Sequence, residues 1–200
     1  MKRLLALILL SWLAIEIHEM GHFLFYLLAG YHAQISLQQT TPLGDVPMNT
    51  EHAALLAGPA VSALAAVIFL LVARSRPGFG WAMAAFTNAS LRLFPLTMDL
   101  IRAMQNGRPF SDEGTVAAAV TSGAIARVCL VAVPFVLFLV LTILAGRMFR
   151  FRRLAFLKVL GIYAATLAIG VGVVIVDELT HKSIILWRSA RETVLNDRLI

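Results

Sequence analysis

The stretch "LLALILLSWLAIEIHEMGHFLFYLLA", residues 4–29, decides how the rest of the chain is read. As a helix it is long enough to cross the hydrocarbon of a bilayer, which takes about 20 apolar residues. Yet it carries Glu16, His18, Glu19 and His22. Ionisable side chains are expensive in hydrocarbon and usually face a protein interior or a wet cavity. The segment therefore reads as a membrane helix with polar work to do.

The whole chain fits that reading. Sixty per cent of its 200 residues are hydrophobic and 14% are charged, whereas a soluble domain is roughly a quarter charged. Lipid forces backbone groups to pair within each segment, which predicts an all-α membrane protein. The alternating pattern of a membrane barrel is missing. The single cysteine, Cys129, excludes an intrachain disulfide and a cysteine-built zinc site. The net charge of +6 does not point to nucleic acid, because the basic residues cluster at the ends of apolar runs, where lipid headgroups lie. The start, "MKRLLALILLSWLA", has the form of a signal peptide, but the apolar run continues to Ala29 without a small-x-small site. A retained signal anchor is expected.

Five membrane segments are predicted, forming a polytopic helical bundle. They cover about residues 4–29, 51–73, 79 to a break near Pro95, 128–145 and 154–176. Pro95 is expected to interrupt the third, since proline removes a backbone donor. Pro134 is expected to kink the fourth. The polar loop 31–50 contains "AQISLQ", whose alternation suggests a short strand. "SDEG" at 111–114 reads as a helix start, with Ser111 as cap and two acids in the first turn. The expected organisation is a three-helix core over 1–110, further membrane helices over 111–181, and an interfacial tail over 182–200. Lys2/Arg3, Arg74/Arg76 and the block Arg147–Arg153 fall on one side of a five-helix arrangement, which predicts a cytoplasmic N-terminus.

Residues 18–22, "HEMGH", form an H-E-x-x-H pattern. On a helix, positions i and i+4 share a face, so His18 and His22 can bind one zinc ion with Glu19 beside them. Zinc lowers the pKa of bound water to about 7 and polarises a carbonyl. Glu19 is the candidate general base. Glu16, two residues before His18, points elsewhere and reads as a packing carboxylate. A catalytic site of this kind uses three protein ligands and leaves a fourth position for water. The candidates for the third are Glu51, His52, Asp99, Asp112, Asp177 and His181. Depth favours Asp99. His22 lies 19 residues beyond Arg3, and Asp99 lies 23 beyond Arg76 with a break between, so at about 1.5 Å per residue the two reach similar levels. Asp112 lies past the third segment and has its own explanation as a helix-start acid.

Over roughly residues 10–105 the chain resembles the site-2 protease family of intramembrane zinc metalloproteases. The resemblance rests on His18-Glu19-x-x-His22, on "LLAGPAVSAL" at 55–64, and on "NASLRLFPLTMDL" at 88–100. The second is similar to the family's A-G-P-x-x-N element, with Ser62 where the family usually has Asn. The third is similar to its N-x-x-P…D-G element. The resemblance implies that Asp99 completes the zinc site and that Asn88 contacts substrate. It implies an endopeptidase that cuts peptide bonds in or near a membrane-spanning helix, with one zinc ion per chain. Its partners would be a membrane-spanning protein substrate and the lipid bilayer. The alternatives are a zinc-binding membrane protein without proteolytic activity, and a transporter whose buried carboxylates relay ions.

Overall fold

The computed structural model describes residues 2–149, 155–180 and 184–189. Helices dominate: α1 (Lys2–Leu28), α2 (Met48–Ser75), α3 (Phe79–Ser90), α4 (Leu93–Met104), α5 (Asp112–Val120), α6 (Ala124–Arg147) and α7 (Ala155–Leu179). Three short strands accompany them: β1 (Ala33–Ile35), β2 (Thr40–Pro42) and β3 (Trp187–Arg188). Among the described residues, four helices are long and apolar enough to cross a membrane: 4–28, 48–75, 124–147 and 157–179. The predicted third crossing is divided into α3 and α4, of 12 residues each. At 1.5 Å per residue each spans about 18 Å, too short to cross hydrocarbon alone.

The packing is compatible with a bundle in lipid. Outward faces carry large apolar side chains such as Leu5, Leu64, Leu71, Val133 and Val136, all exposed. Inward faces are rich in alanine: Ala54, Ala66, Ala73, Ala82, Ala85, Ala89 and Ala145 are buried. With lipid outside as apolar as the side chains, helices associate by close packing, which small residues permit. The central element is α3, buried continuously from Ala82 to Ser90. A helix apolar all round must be covered all round. Below it, Leu93, Leu96, Ala117, Val131, Phe138 and Leu141 join α4, α5 and α6 in one cluster.

The break between α3 and α4 falls at Leu91–Arg92, three to four residues before Pro95. A proline ring clashes with the carbonyl four residues earlier, here Leu91, which is the residue that ends α3. Pro95 itself sits in the first turn of α4, where its missing N–H has no partner to lose. Pro134 lies inside an uninterrupted α6. Arg127, which the sequence places before the fourth segment, lies within α6, and its Nε donates to the Thr121 carbonyl at 3.0 Å.

The predicted strand in the 31–50 loop is β1, paired antiparallel with β2 in the register Ala33↔Pro42, Gln34↔Thr41, Ile35↔Thr40. The other edge of β1 is taken by β3, with Gln34↔Arg188 and Ile35↔Trp187. Of the expected interfacial tail, residues 184–189 are described and include β3, while 182–183 and 190–200 lie outside the described residues. The turn of the hairpin is tied to the end of α7: Ser36 Oγ and the Leu37 N–H donate to the Asp177 carboxylate at 2.9 and 3.2 Å. Asp177, a third-ligand candidate from sequence, is fully buried in that anchoring role.

Candidate metal centre

The site begins where α1 and α2 cross antiparallel. On α1, His18 and His22 share a face at spacing i, i+4. On α2, Ala54, Gly58 and Ser62 form the matching stripe at i, i+4, i+8. The His22 Nδ1–H donates to the Ala54 carbonyl at 2.7 Å, and His18 Nδ1 pairs with Ser62 Oγ at 3.1 Å. Between these two contacts the helices touch through glycine. A Cβ on Gly58 would stand 2.5 Å from His22 Cε1 and 2.8 Å from His18 Cε1, and one on Gly21 would stand 2.7 Å from the Ala57 carbonyl. The A-G-P element therefore provides the gap that two imidazoles fill.

With Nδ1 of His22 donating to a carbonyl, its Nε2 carries the lone pair. His18 Nε2 faces Nη1 of Arg92 at 3.2 Å. A guanidinium only donates, so this nitrogen is an acceptor too. The two Nε2 atoms lie 3.1 Å apart, with the rings edge to face at 90°. Asp112 Oδ2 approaches both, at 3.0 Å from His18 and 3.6 Å from His22. In this tautomer assignment three acceptor atoms converge, with Arg92 facing two of them, and a bound cation would satisfy all three. A tetrahedral zinc with ligands at about 2.0–2.1 Å sets its ligand atoms about 3.3 Å apart, and the triangle of 3.0, 3.1 and 3.6 Å has that size.

Glu19 is buried beside the pair. Ligand atoms of His18, Glu19 and His22 lie within 4.8 Å of one another, so this group could hold a metal ion. Charge points the same way. Among the described residues Arg92 is the arginine paired with Asp112 and Glu113, and with Glu19 ionised beside them a divalent ion would bring the cluster to neutrality. Buried uncompensated charge costs several kcal/mol. The residues fit a divalent cation.

The structure does not bring Asp99 to this triangle. Its carboxylate accepts from the N–H groups of Phe110, at 2.5 Å, and Ser111, at 2.8 Å, and from the Ser111 hydroxyl. Gly114 leaves room for it, since a Cβ there would press on the Asp99 carboxyl group. Asp99 faces the loop 107–111. It anchors the start of α5, and Asp112, the first residue of α5, then projects to the histidines. Ser111 caps α5 as expected, accepting from the Gly114 N–H at 3.2 Å. The site therefore draws on a residue beyond position 110. Glu51 lies in the first turn of α2 with His52 next to it, and neither belongs to the His18–Glu19–His22 group. His181 lies outside the described residues.

Beside the triangle is a cavity of about 360 Å³. His18, Glu19, Gln38, Asn88, Arg92 and Asp112 line it on one side, and Leu167, Gly170, Val171 and Val174 of α7 form part of the apolar wall. This is the size of small-molecule and peptide sites, about 300–1,000 Å³. Asn88 donates from Nδ2 to the Ala84 carbonyl at 2.9 Å, and its Oδ1 has no hydrogen-bond partner among the described residues. Gln38 places the hairpin turn at the cavity, and Thr40 Oγ1 donates to the Glu19 carbonyl at 2.8 Å.

The reading of the sequence set Asp112 aside as a helix-start acid, took Ser62 only as a motif departure and Glu113 only as a first-turn acid, and did not single out Arg92. One signal was present: Arg92 is a charge inside an apolar segment, and such residues mark sites. No protein-family model, curated protein or solved structure matches the chain.

Proposed function

We propose that the chain is a zinc endopeptidase of the site-2 protease type that hydrolyses peptide bonds in or near a membrane-spanning substrate helix. The observation that carries this reading is the convergence of His18 Nε2, His22 Nε2 and Asp112 Oδ2 next to Glu19, inside a bundle built for lipid. In it Asp112 replaces Asp99 as third ligand. Zinc, when bound, supplies an acidified water and polarises the substrate carbonyl. Glu19 takes the proton of the attacking water and hands it to the amine nitrogen that leaves. Asn88 lines the cavity, and its unpaired Oδ1 is the acceptor we assign to a substrate backbone N–H. Ser62 and the Ala54 carbonyl hold the imidazoles in the ligand tautomer, as outer partners of metal sites do. The cavity admits water to a depth where lipid excludes it.

The test is Glu19→Gln beside wild type, in liposomes with a candidate membrane-spanning substrate. Metal content is expected to stay at one zinc per chain while cleavage stops. Unchanged cleavage in Glu19→Gln refutes the mechanism. Zinc in the wild type with no cleavage of any membrane-spanning substrate leaves a zinc-binding protein without protease activity.

A further inference from the structure

Arg92 has no part in the hydrolysis described above, although its guanidinium stands on the rim of the ligand triangle. Nη1 lies 3.2 Å from His18 Nε2 and Nη2 lies 3.3 Å from Asp112 Oδ2. The head group is held from behind by Glu113, which accepts from Nη2 and whose side chain is 5% exposed. Arg92 Nε has no partner among the described residues. Arg92 also lines the 360 Å³ cavity together with Glu19. A simple counter-ion for Asp112 would need neither a second buried carboxylate nor a place on the cavity wall.

Resting on the protease reading, we infer that Arg92 binds the oxygen that becomes negative during hydrolysis, and that Glu113 is the positioning residue that aims it. In the addition step water oxygen bonds to the carbonyl carbon and one water proton passes to Glu19. The carbonyl π pair moves onto the carbonyl oxygen, which then carries a full negative charge. In the collapse that pair returns, the C–N bond breaks, and the Glu19 proton goes to the nitrogen. Only the oxygen changes charge where no proton follows it, so a fixed cation there stabilises the transition state more than the substrate. Arginine suits the task because it stays protonated and presents a planar fork. The Glu113 pairing fixes the position of the guanidinium beside His18 and Asp112. The chemical class recognised is a tetrahedral oxyanion at an apolar peptide, since the α7 wall offers Leu167, Val171 and Val174.

The experiment uses the full-length zinc-loaded protein in detergent and a leucyl–leucyl dipeptide phosphinate, whose tetrahedral phosphorus carries two oxygens. A neutral alkene isostere of the same dipeptide is the control. Arg92→Met is expected to keep one zinc per chain and bind the alkene as wild type does. It should bind the phosphinate about 100-fold more weakly, and lower kcat by about 10²–10³ with KM unchanged. Arg92→Lys should recover part of both losses. Glu113→Gln should lower kcat about 10-fold at unchanged KM. The inference is overturned if Arg92→Met retains phosphinate affinity and kcat, or if wild-type protein with zinc does not bind the phosphinate. Loss of zinc from both Arg92→Met and Arg92→Lys also overturns it, making Arg92 a counter-ion of the ligand set. The protease reading fails separately, when wild type binds the phosphinate in an Arg92-dependent way yet cleaves nothing.

Discussion

Replacing Gly58 by alanine adds one methyl group at the point where the two imidazoles pass α2. The new Cβ would stand 2.5 Å from His22 Cε1 and 2.8 Å from His18 Cε1, whereas ordinary contact begins near 3.4 Å. The His22 ring must therefore give about 0.9 Å and the His18 ring about 0.6 Å, or the helices must separate by a similar amount. The neighbours are ring atoms held by Ala54 and Ser62, and the other face of the crossing is closed by Gly21 against Ala57. Overpacking of this kind costs about 1–3 kcal/mol of stability. The metal is more exacting, because ligand positions tolerate about 0.2 Å. A shift several times that tolerance is expected to lower zinc affinity by about 100-fold or more, while the helices still form. The assay is zinc content of purified protein equilibrated against a chelator at graded free zinc, with thermal unfolding followed in the same detergent. Gly161→Ala in α7 is the control, because a Cβ there meets nothing within 4 Å. Wild-type zinc affinity in Gly58→Ala would refute the close-approach argument.

Asp112→Asn is expected to lose zinc about 100-fold in affinity at nearly unchanged thermal stability, whereas Asp99→Asn lowers stability by about 1–3 kcal/mol through its orphaned donors. If Asp99→Asn abolishes zinc binding in a stably folded protein while Asp112→Asn keeps it, the ligand assignment is wrong. Ser62→Ala removes the Nδ1 partner of His18 and should weaken zinc binding about 10-fold, a change that a chelator competition titration resolves and that no change would contradict. The topology is read from a Gln38→Cys variant in a Cys129→Ser background. His18 lies 15 residues beyond Arg3, about 22 Å along the helix, in hydrocarbon about 30 Å thick, so the site should open away from the cytoplasm. Labelling of intact cells by an impermeant thiol reagent is expected, and labelling only after permeabilisation argues the reverse.

Local geometry was legible in the sequence and azimuth was not. The spacing of His18, Glu19 and His22 fixes which face of α1 they occupy wherever that helix packs, and the structure groups these three residues. Four of the five predicted crossings are single helices because long apolar runs have one solution in lipid. The third ligand depended on something else. Comparing depths along two helix axes treated Asp99 as a height, but a ligand also needs a direction. On α4 that direction is toward the N–H groups of Phe110 and Ser111. Asp112 was set aside because a helix-start acid already had a local explanation, and it is one, yet its side chain also crosses to the histidines. Ser62, read only as a departure from a motif, lies on the one stripe of α2 that meets both rings. The short strand β3 was not foreseen, since two residues within "SIILWRS" carry no alternation to read.

The convergent acceptors come from positions far apart in synthesis. His18 and His22 leave the ribosome about 90 residues before Asp112, an interval of roughly 5–18 s at translation rates of about 5–20 residues per second. In the proposed reading, the nascent helix pair has Glu19 and two imidazoles through that interval but lacks the Asp112 oxygen that would close the ring of ligands. Metal capture is therefore expected to be timed by the emergence of α5. An arrested chain ending before residue 112 should take up zinc only weakly. The newborn protein would pass through the insertion machinery, surrounded by other unfolded membrane segments, before its chemistry is switched on.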